Sequence, residues 1–382
     1  MSSKRLVLTT LSASTLLGLA TLSPNAIAQS VQSQPGNAMS GTMQRSDKED
    51  MRVVLQKLQE LGAKPLGTQS VEETRKGSTP ADAVKAVLKD QGKDPAALMA
   101  QMGVKKKDVT YPTGGGAQPI RIYTPEGQAP QGGWPVIVYY HGGGWVIADI
   151  DTYEASAMAL ADKTQAIVAS VEYRHAPENK FPAAHDDAFN AYKWVLDNAG
   201  QFDGNPERIA VAGESAGGNL AINTAIEARD QNVRKPAHML LVYPVAGVDM
   251  TTPSYQKNAN AMPLSKQAME WFVKNTIKSE QDLQSPKLDL VGKANLKDLP
   301  SATVITAEID PLMSEGKQLA DKLKAAGSDV TYQNNEGVTH EFFGMAAVLD
   351  DAKRAQQLAA DNLKKALDVQ ATGSTGAAPR KQ

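Results

Sequence analysis

The sequence predicts an α/β fold in which a mostly parallel, eight-stranded sheet is covered by helices on both faces. Short, almost continuously apolar segments recur along the chain, as expected for buried parallel strands: 135–140, 166–173, 208–213, 239–245, 302–309 and 329–333. Amphipathic helical segments lie between most of them: 183–199, 217–230, 315–327 and 353–370. Two earlier segments, 108–112 and 119–125, read as a hairpin. Strands that alternate with helices in this way build a parallel sheet.

The first 28 residues have the pattern of an export signal. Lys4 and Arg5 form a basic start, an apolar run covers 6–22, and small residues stand at Ala26 and Ala28. A membrane anchor is the alternative, but the run is short and polar sequence rather than a charged stop follows it. We therefore expect cleavage after Ala28, export to the periplasm or the medium, and no stable membrane anchor.

The rest of the chain is expected to form one main domain over 71–370, preceded by a flexible arm over 29–70 that carries one amphipathic helix. More than fifty residues separate the apolar segments 239–245 and 302–309, and a connection of that length is rarely structureless. We expect this insertion, at about 248–290, to form a small helical cap over one end of the sheet, and 80–102 also has a helical pattern. The tail, 371–382, is low in complexity and is predicted to be disordered.

Composition excludes several functions. The net charge of −2 and the lack of a basic patch argue against nucleic acid as a partner. With no cysteine, the chain can form neither disulfides nor a thiolate nucleophile. "HEFFG" at 340–344 fails as a zinc motif because Gly344 stands where a second histidine is needed. No other metal-like cluster is evident, so neither a metal nor a cofactor is predicted, and the oligomeric state stays open, with a homodimer as one option.

"GESAG" at 213–217 is the most specific motif. It lies where an apolar strand ends and a helix begins, and G-x-S-x-G at such a junction is typical of a nucleophile elbow. Glycine suits Gly213 and Gly217 because side chains there would collide with neighbouring backbone. A Gly/Ser-rich turn of no catalytic importance is the alternative. We predict that Ser215 is a nucleophile.

A serine needs a base, and the base needs an acid that orients it. His340 lies after the last strand, at the carboxyl end of the predicted sheet, and is the best of five histidines. His141 is expected to brace the neighbouring glycine loop, and His175 and His185 to be structural. Asp310 ends a strand and is favoured as the acid over Glu308 and Glu315, which lie inside the strand and in the next helix.

Three glycines follow the strand that ends in "VYYHGGGWV", 138–146. Without a Cβ, backbone N–H groups can approach a reacting atom closely. We predict that the amides of Gly143, Gly144 and Ala216 form an oxyanion hole. A second triplet, 114–116, lies between polar strand-like segments and reads as a plain hairpin turn.

Taken together, "HGGGW", "YRHAPE", "FPAAHDD", "GESAGGNLA", "ITAEIDPL" and "THEFFGM" resemble, in order, the landmarks of the hormone-sensitive-lipase-like branch of the α/β-hydrolase fold. The resemblance covers about residues 75–370. It implies a serine carboxylesterase that acts on short- to medium-chain acyl or aryl esters, with the catalytic roles assigned above. It also implies that the cap is built from N-terminal helices, about 75–105, together with the inserted segment 248–290. Glu214 departs from the Asp that many members carry at this position.

Two other functions are weighed against this one. A prolyl-oligopeptidase-like peptidase also uses G-x-S-x-G-G, but it usually lacks an HGGG loop and carries a propeller, for which no repeat exists here. A receptor on the same fold would retain the pocket without the catalytic histidine. Labelling of Ser215 by a fluorophosphonate without turnover of any ester would favour the peptidase, and absence of labelling would favour the receptor.

Overall fold

The computed structural model describes residues 48–373, and side chains as far as Asp368. The predicted export signal over 1–28, the first part of the predicted arm and the end of the predicted tail lie outside the described residues. Among the described helices, none combines the length and the hydropathy that crossing a bilayer would require.

Eight strands of the described chain form one sheet in the order β1-β2-β4-β3-β5-β6-β7-β8. β1 pairs with β2, and β2 with β4, in antiparallel fashion, whereas all other neighbours are parallel. The predicted sheet is confirmed. The strands are β1 Val104–Thr113, β2 Gly116–Pro125, β3 Trp134–Tyr140, β4 Ile167–Val171, β5 Gly204–Glu214, β6 His238–Val242, β7 Ser301–Ile309 and β8 Val330–Thr339.

Helices cover both faces of the sheet because successive strand residues point to opposite sides. In β3, Val136 and Val138 join the core cluster on one face, and Ile137 and Tyr139 join the cluster on the other. The helices are α1 Glu49–Glu60, α2 Val71–Arg75, α3 Pro80–Asp90, α4 Pro95–Ala100, α5 Glu154–Thr164, α6 Ala183–Asn198, α7 Ala216–Asp230, α8 Pro253–Lys257, α9 Lys266–Thr276, α10 Leu290–Lys293, α11 Met313–Ala325 and α12 Asp350–Gly373. α5 and α12 cover one face, and α6, α7 and α11 the other.

The amphipathic helix predicted within the arm over 29–70 is present as α1, but the described part of this segment packs on the core instead of forming a flexible arm. α1 buries Met51, Val54, Leu55 and Leu58 in the core and contacts α3 and β8. An amphipathic helix gains most of its stability from packing its apolar face. The polar residues of the other face of α1 explain why this segment resembles an arm in sequence.

The region 80–102 is helical, as predicted, and consists of two helices. α3 ends before Gly92, whose φ of +70° is left-handed, and α4 begins at Pro95 with the Asp94 side chain accepting a hydrogen bond from the Ala96 amide. Pro at the first position and Asp at the N-cap both favour a new helix start.

The long connection between β6 and β7 is helical, as predicted, and contributes α8, α9 and α10. α9 comes close to the glycine loop after β3. A Cβ added at Gly144 would lie only 2.2 Å from a ring carbon of Phe272. The inserted segment therefore lies directly against the loop that was predicted to bind an oxyanion.

Candidate active site

Ser215 stands between β5 and α7 in a strained backbone conformation, with φ +57° and ψ −119°. Its amide donates to the Val242 carbonyl of neighbouring β6 at 2.9 Å. A Cβ at Gly213 would lie 2.1 Å from the Gly217 oxygen, and one at Gly217 would lie 2.0 Å from the Tyr140 oxygen. Both positions therefore require glycine for the reason that the motif predicts.

His340 and Asp310 are hydrogen-bonded to each other. Nδ1–H of His340 donates to Oδ2 of Asp310 at 2.6 Å, and the other carboxylate oxygen accepts from the Leu312 amide at 2.8 Å. Both side chains are buried. Burial lowers the pKa of His340, but the Asp310 carboxylate outweighs this effect, so that the pKa lies above its usual value.

The two rival acids bind elsewhere. Glu308 forms an ion pair with Lys257 at 3.0 Å, and Glu315 accepts a hydrogen bond from the Ala246 amide at 2.8 Å. Of the three acids considered, Asp310 is therefore the one that contacts His340.

The serine and the histidine lie at the same edge of the sheet, near the end of β6. Tyr243 follows Val242, the acceptor of the Ser215 amide, and its ring centroid is 4.4 Å from that of His340. Ser215 Oγ is not hydrogen-bonded to any described residue. Such contacts between nucleophile and base are often loose until substrate is bound.

Three backbone amides near Ser215 are available as donors. Gly143 and Gly144 have φ of +97° and +59°, and neither amide donates to another residue in the described range. Ala216 is the first residue of α7, where an N–H has no partner within the helix. The positive end of the α7 dipole adds to the attraction for an anion here.

A buried acidic network beside the histidine was not predicted. Glu214 accepts hydrogen bonds from the hydroxyls of Tyr139 (2.6 Å) and Tyr243, and Glu341 Oε1 accepts one from Tyr153 at 2.7 Å. Burial, with a smaller contribution from the charge of Glu341, raises the pKa of Glu214 to about 7. Only the place of Glu214 next to the serine hinted at this network in the sequence.

His141 braces the glycine loop, as predicted: Nδ1–H donates to the Gly142 carbonyl at 2.8 Å. The prediction that no metal-like cluster exists is wrong, however. Potential ligand atoms of His141, Glu172 and His175 all lie within 4.8 Å of one another. The sequence did not reveal the cluster because His141 and Glu172 belong to different loops, which only the pairing of β3 with β4 brings together.

A sharp serine turn, a histidine–carboxylate pair and a glycine loop at the carboxyl edge of one sheet are typical of α/β-type serine hydrolases. A family model described as alpha/beta hydrolase fold matches residues 137–344. The chain belongs to this family and, within it, to the hormone-sensitive-lipase-like carboxylesterases.

Known relatives agree with this placement. The chain is 38% identical over 281 residues to the carboxylesterase NlhH of Mycobacterium tuberculosis, covering 72% of this chain and 87% of that protein. It is 34% identical over 253 residues to an arylesterase of Saccharolobus solfataricus, covering 66% and 79%. The structure of a hyperthermophilic esterase from Pyrobaculum calidifontis matches with a TM-score of 0.70 and 34% identity, over 81% of this chain and 96% of that one.

Proposed function

We propose that the protein hydrolyses short- to medium-chain acyl or aryl esters through an acyl-enzyme intermediate, with Ser215 as nucleophile, His340 as base and Asp310 as the acid that orients it. The observation that carries the proposal is the hydrogen bond between His340 and Asp310 at the same sheet edge as the strained Ser215. With Nδ1 protonated by this contact, Nε2 is the nitrogen that can accept a proton.

In the first half of the reaction, His340 Nε2 takes the proton of Ser215 Oγ while the oxygen attacks the ester carbonyl carbon. The carbonyl oxygen becomes an anion, which accepts hydrogen bonds from the amides of Gly143, Gly144 and Ala216. Each such donor is worth about 3–4 kcal/mol of transition-state stabilisation. The imidazolium then protonates the leaving alcohol, and the acyl group stays on the serine.

In the second half, His340 takes a proton from water, and the hydroxide oxygen attacks the acyl carbon. The tetrahedral intermediate collapses, the carboxylic acid leaves, and the proton returns to Ser215. Asp310 stabilises the imidazolium in both halves without taking up the proton itself.

We place an apolar part of the substrate in a cavity of about 690 Å³. It lies among α3, α4 and α5, is lined by apolar side chains that include Val84, Met99 and Met158, and extends to Glu341. The cavity reaches the site through Glu214 and Glu341, which precede Ser215 and follow His340 in the chain, while Ser215 and His340 themselves do not line it. In a series of p-nitrophenyl esters of increasing acyl length, we expect Met99→Trp to lower kcat/KM for the longer esters more than for the acetate.

Hydrolysis of p-nitrophenyl acetate and butyrate by the purified protein tests the mechanism. Ser215→Ala should lower kcat at least about 10³-fold, because a histidine without its serine partner has no nucleophile to activate. Ser170→Ala, which changes a buried serine inside β4, is the matched control and should retain activity. Retention of more than a few per cent of activity by Ser215→Ala would rule out this mechanism.

We also propose that the protein is exported and that the mature chain begins near Gln29. The support is the basic, apolar and small-residue pattern of the first 28 residues. N-terminal sequencing of the protein isolated from its native host would give Gln29 as the first residue. An intact Met1 or retention in the cytoplasm would overturn this proposal.

A further inference from the structure

The histidine of the glycine loop belongs to a cluster of three side chains that the ester mechanism does not use. Glu172 Oε1 lies 3.5 Å from Nε2 of His141 and 3.2 Å from Nε2 of His175. Neither imidazole nitrogen has a hydrogen-bond partner of acceptable geometry among the described residues. Nε2 of His141, Nε2 of His175 and Oε1 of Glu172 are therefore potential ligand atoms that lie close together beside the glycine loop.

Hydrogen bonds on the far side of two of these groups fix their orientation. His141 is fully buried and donates from Nδ1 to the Gly142 carbonyl, which leaves a bare lone pair on Nε2. Glu172 Oε2 accepts from the Ile150 amide at 3.1 Å, which directs Oε1 toward both imidazoles. A histidine that donates its second N–H to a backbone carbonyl is the usual arrangement of a metal ligand.

The spacing also fits a transition-metal ion. Zinc–nitrogen and zinc–oxygen bonds of about 2.0–2.1 Å place neighbouring ligand atoms of a tetrahedron roughly 3.3–3.4 Å apart. The two distances from Glu172 Oε1 lie on either side of this value. The two imidazole nitrogens lie within 4.8 Å of each other, and rotation of His175, the more exposed of the two at 17%, would bring them closer.

We propose that His141, Glu172 and His175 bind a divalent transition-metal ion of the zinc class, with the fourth position open to water. Two neutral imidazoles and one carboxylate are a ligand set that such ions accept. Since His141 immediately precedes the glycine loop, a bound ion would tie this loop to the segment that follows β4. Its role would be to brace the loop, outside the proton-transfer steps.

The charges around the cluster are compatible with a cation. The Glu172 carboxylate, whose Oε1 is 3.2 Å from Nε2 of His175, supplies a negative charge to balance a bound cation. Arg75 is the cation that faces this region, and its guanidinium is held by an ion pair with Glu178 at 2.8 Å.

Titration of the metal-depleted full-length protein, purified without a histidine tag, tests the site. The probes are Zn²⁺ by calorimetry and Co²⁺ by its visible spectrum. Outside the cluster, the chain offers no cysteine and only three histidines, His185, His238 and His340, as competing nitrogen ligands. We expect one equivalent to bind, with a tetrahedral Co²⁺ spectrum, and Glu172→Gln and His175→Gln to weaken binding about tenfold or more.

His238→Gln is the matched control, because His238 is a buried histidine with both nitrogens near hydroxyl groups, of Ser301 and Thr303. The affinity of this variant for Zn²⁺ should equal that of the wild type. No saturable binding tighter than about 100 µM would overturn the proposal. Binding that survives in both cluster variants would also overturn the proposal. Loss of binding in Asp310→Asn would overturn it too, since that result would place the ion at His340.

Should the cluster variants fail to fold, X-ray absorption of the zinc-loaded wild type decides the question. Two imidazole ligands with oxygen in the remaining positions support the site, whereas a single imidazole or none contradicts it. The metal site and the ester hydrolysis mechanism are tested by separate measurements, so a result that contradicts one of these proposals does not contradict the other.

Discussion

At the scale of single residues, Ser215, the proposed nucleophile, is held by close backbone packing rather than by its own side chain. The positive φ of Ser215 costs on the order of 1–3 kcal/mol, which the rest of the fold must supply. Gly213 and Gly217 make the turn possible because even one methyl group at either would contact backbone at about 2 Å. The strain projects the hydroxyl from the edge of the sheet, where a base can reach it.

Asp310, the proposed orienting acid, should affect the rate separately from the neighbouring acid Glu308. Asp310→Asn should lower kcat by about 10⁴ with little change in KM, because the amide no longer holds His340 in the tautomer that can accept the serine proton. Glu308→Gln changes an acid two residues earlier that pairs with Lys257 and should leave kcat unchanged. Steady-state kinetics on p-nitrophenyl butyrate compares the variants; equal losses in both would contradict the assigned role.

Ser215 and Asp310 could be predicted because each directly follows a strand with a plain apolar pattern, whereas His340 was placed only in the loop after a last strand predicted to end at 333, and β8 in fact continues to Thr339. Ser215, Asp310 and His340 come immediately after β5, β7 and β8, and parallel strands end at one edge. The network around Glu214 could not be predicted, because it depends on which tyrosine hydroxyls point inward from β3 and from the end of β6.

At the scale of elements, α1 shows how an amphipathic helix near the described N-terminus becomes part of the core. Its sequence carries many polar residues, which suggested an arm. Its apolar residues nevertheless share one face, and all four that are buried contribute to the same cluster as α3 and α12. Hydrophobic periodicity was the better guide here than composition.

Two leucines at the end of α1 test this packing. Leu58 is 3% exposed, whereas Leu61, three residues later, is 40% exposed. Leu58→Ala should lower the free energy of unfolding by about 2–5 kcal/mol through the lost contacts and the cavity. Leu61→Ala should change it by less than about 0.5 kcal/mol. Urea unfolding followed by circular dichroism measures both values, and equal effects would mean that α1 does not pack as described.

At the scale of the whole molecule, the order of the strands was beyond prediction. The alternation of strands and helices predicts a parallel sheet, but β4 lies between β2 and β3 because of long-range pairing that a single sequence does not display. The same pairing brings Glu172 beside His141. The metal-like cluster and the strand order were therefore missed for one reason.

Buried acids should make the stability of the whole molecule depend on pH. Burial raises the pKa of Glu315 to about 8, although hydrogen bonds from the amides of Ala246 and Gly247 lower it in part. The folded state thus holds this proton more tightly than the unfolded chain, and its stabilising effect is lost as pH rises from about 5 to about 8.

Relative to Glu315→Gln, the wild type should therefore lose stability over this pH range. Glu336→Gln, at an exposed position of β8, should follow the wild-type profile. Thermal melts at several pH values measure the difference, and parallel profiles for the wild type and Glu315→Gln would contradict the raised pKa.

The central claim is that Ser215 is the nucleophile and that His340 activates it, and peptide mapping after reaction with a p-nitrophenyl phosphonate tests this most directly. We predict one covalent adduct, on Ser215, that forms with release of one equivalent of nitrophenolate and is nearly absent in His340→Ala. An adduct on another residue, or labelling of Ser215 at the wild-type rate in His340→Ala, would contradict the account.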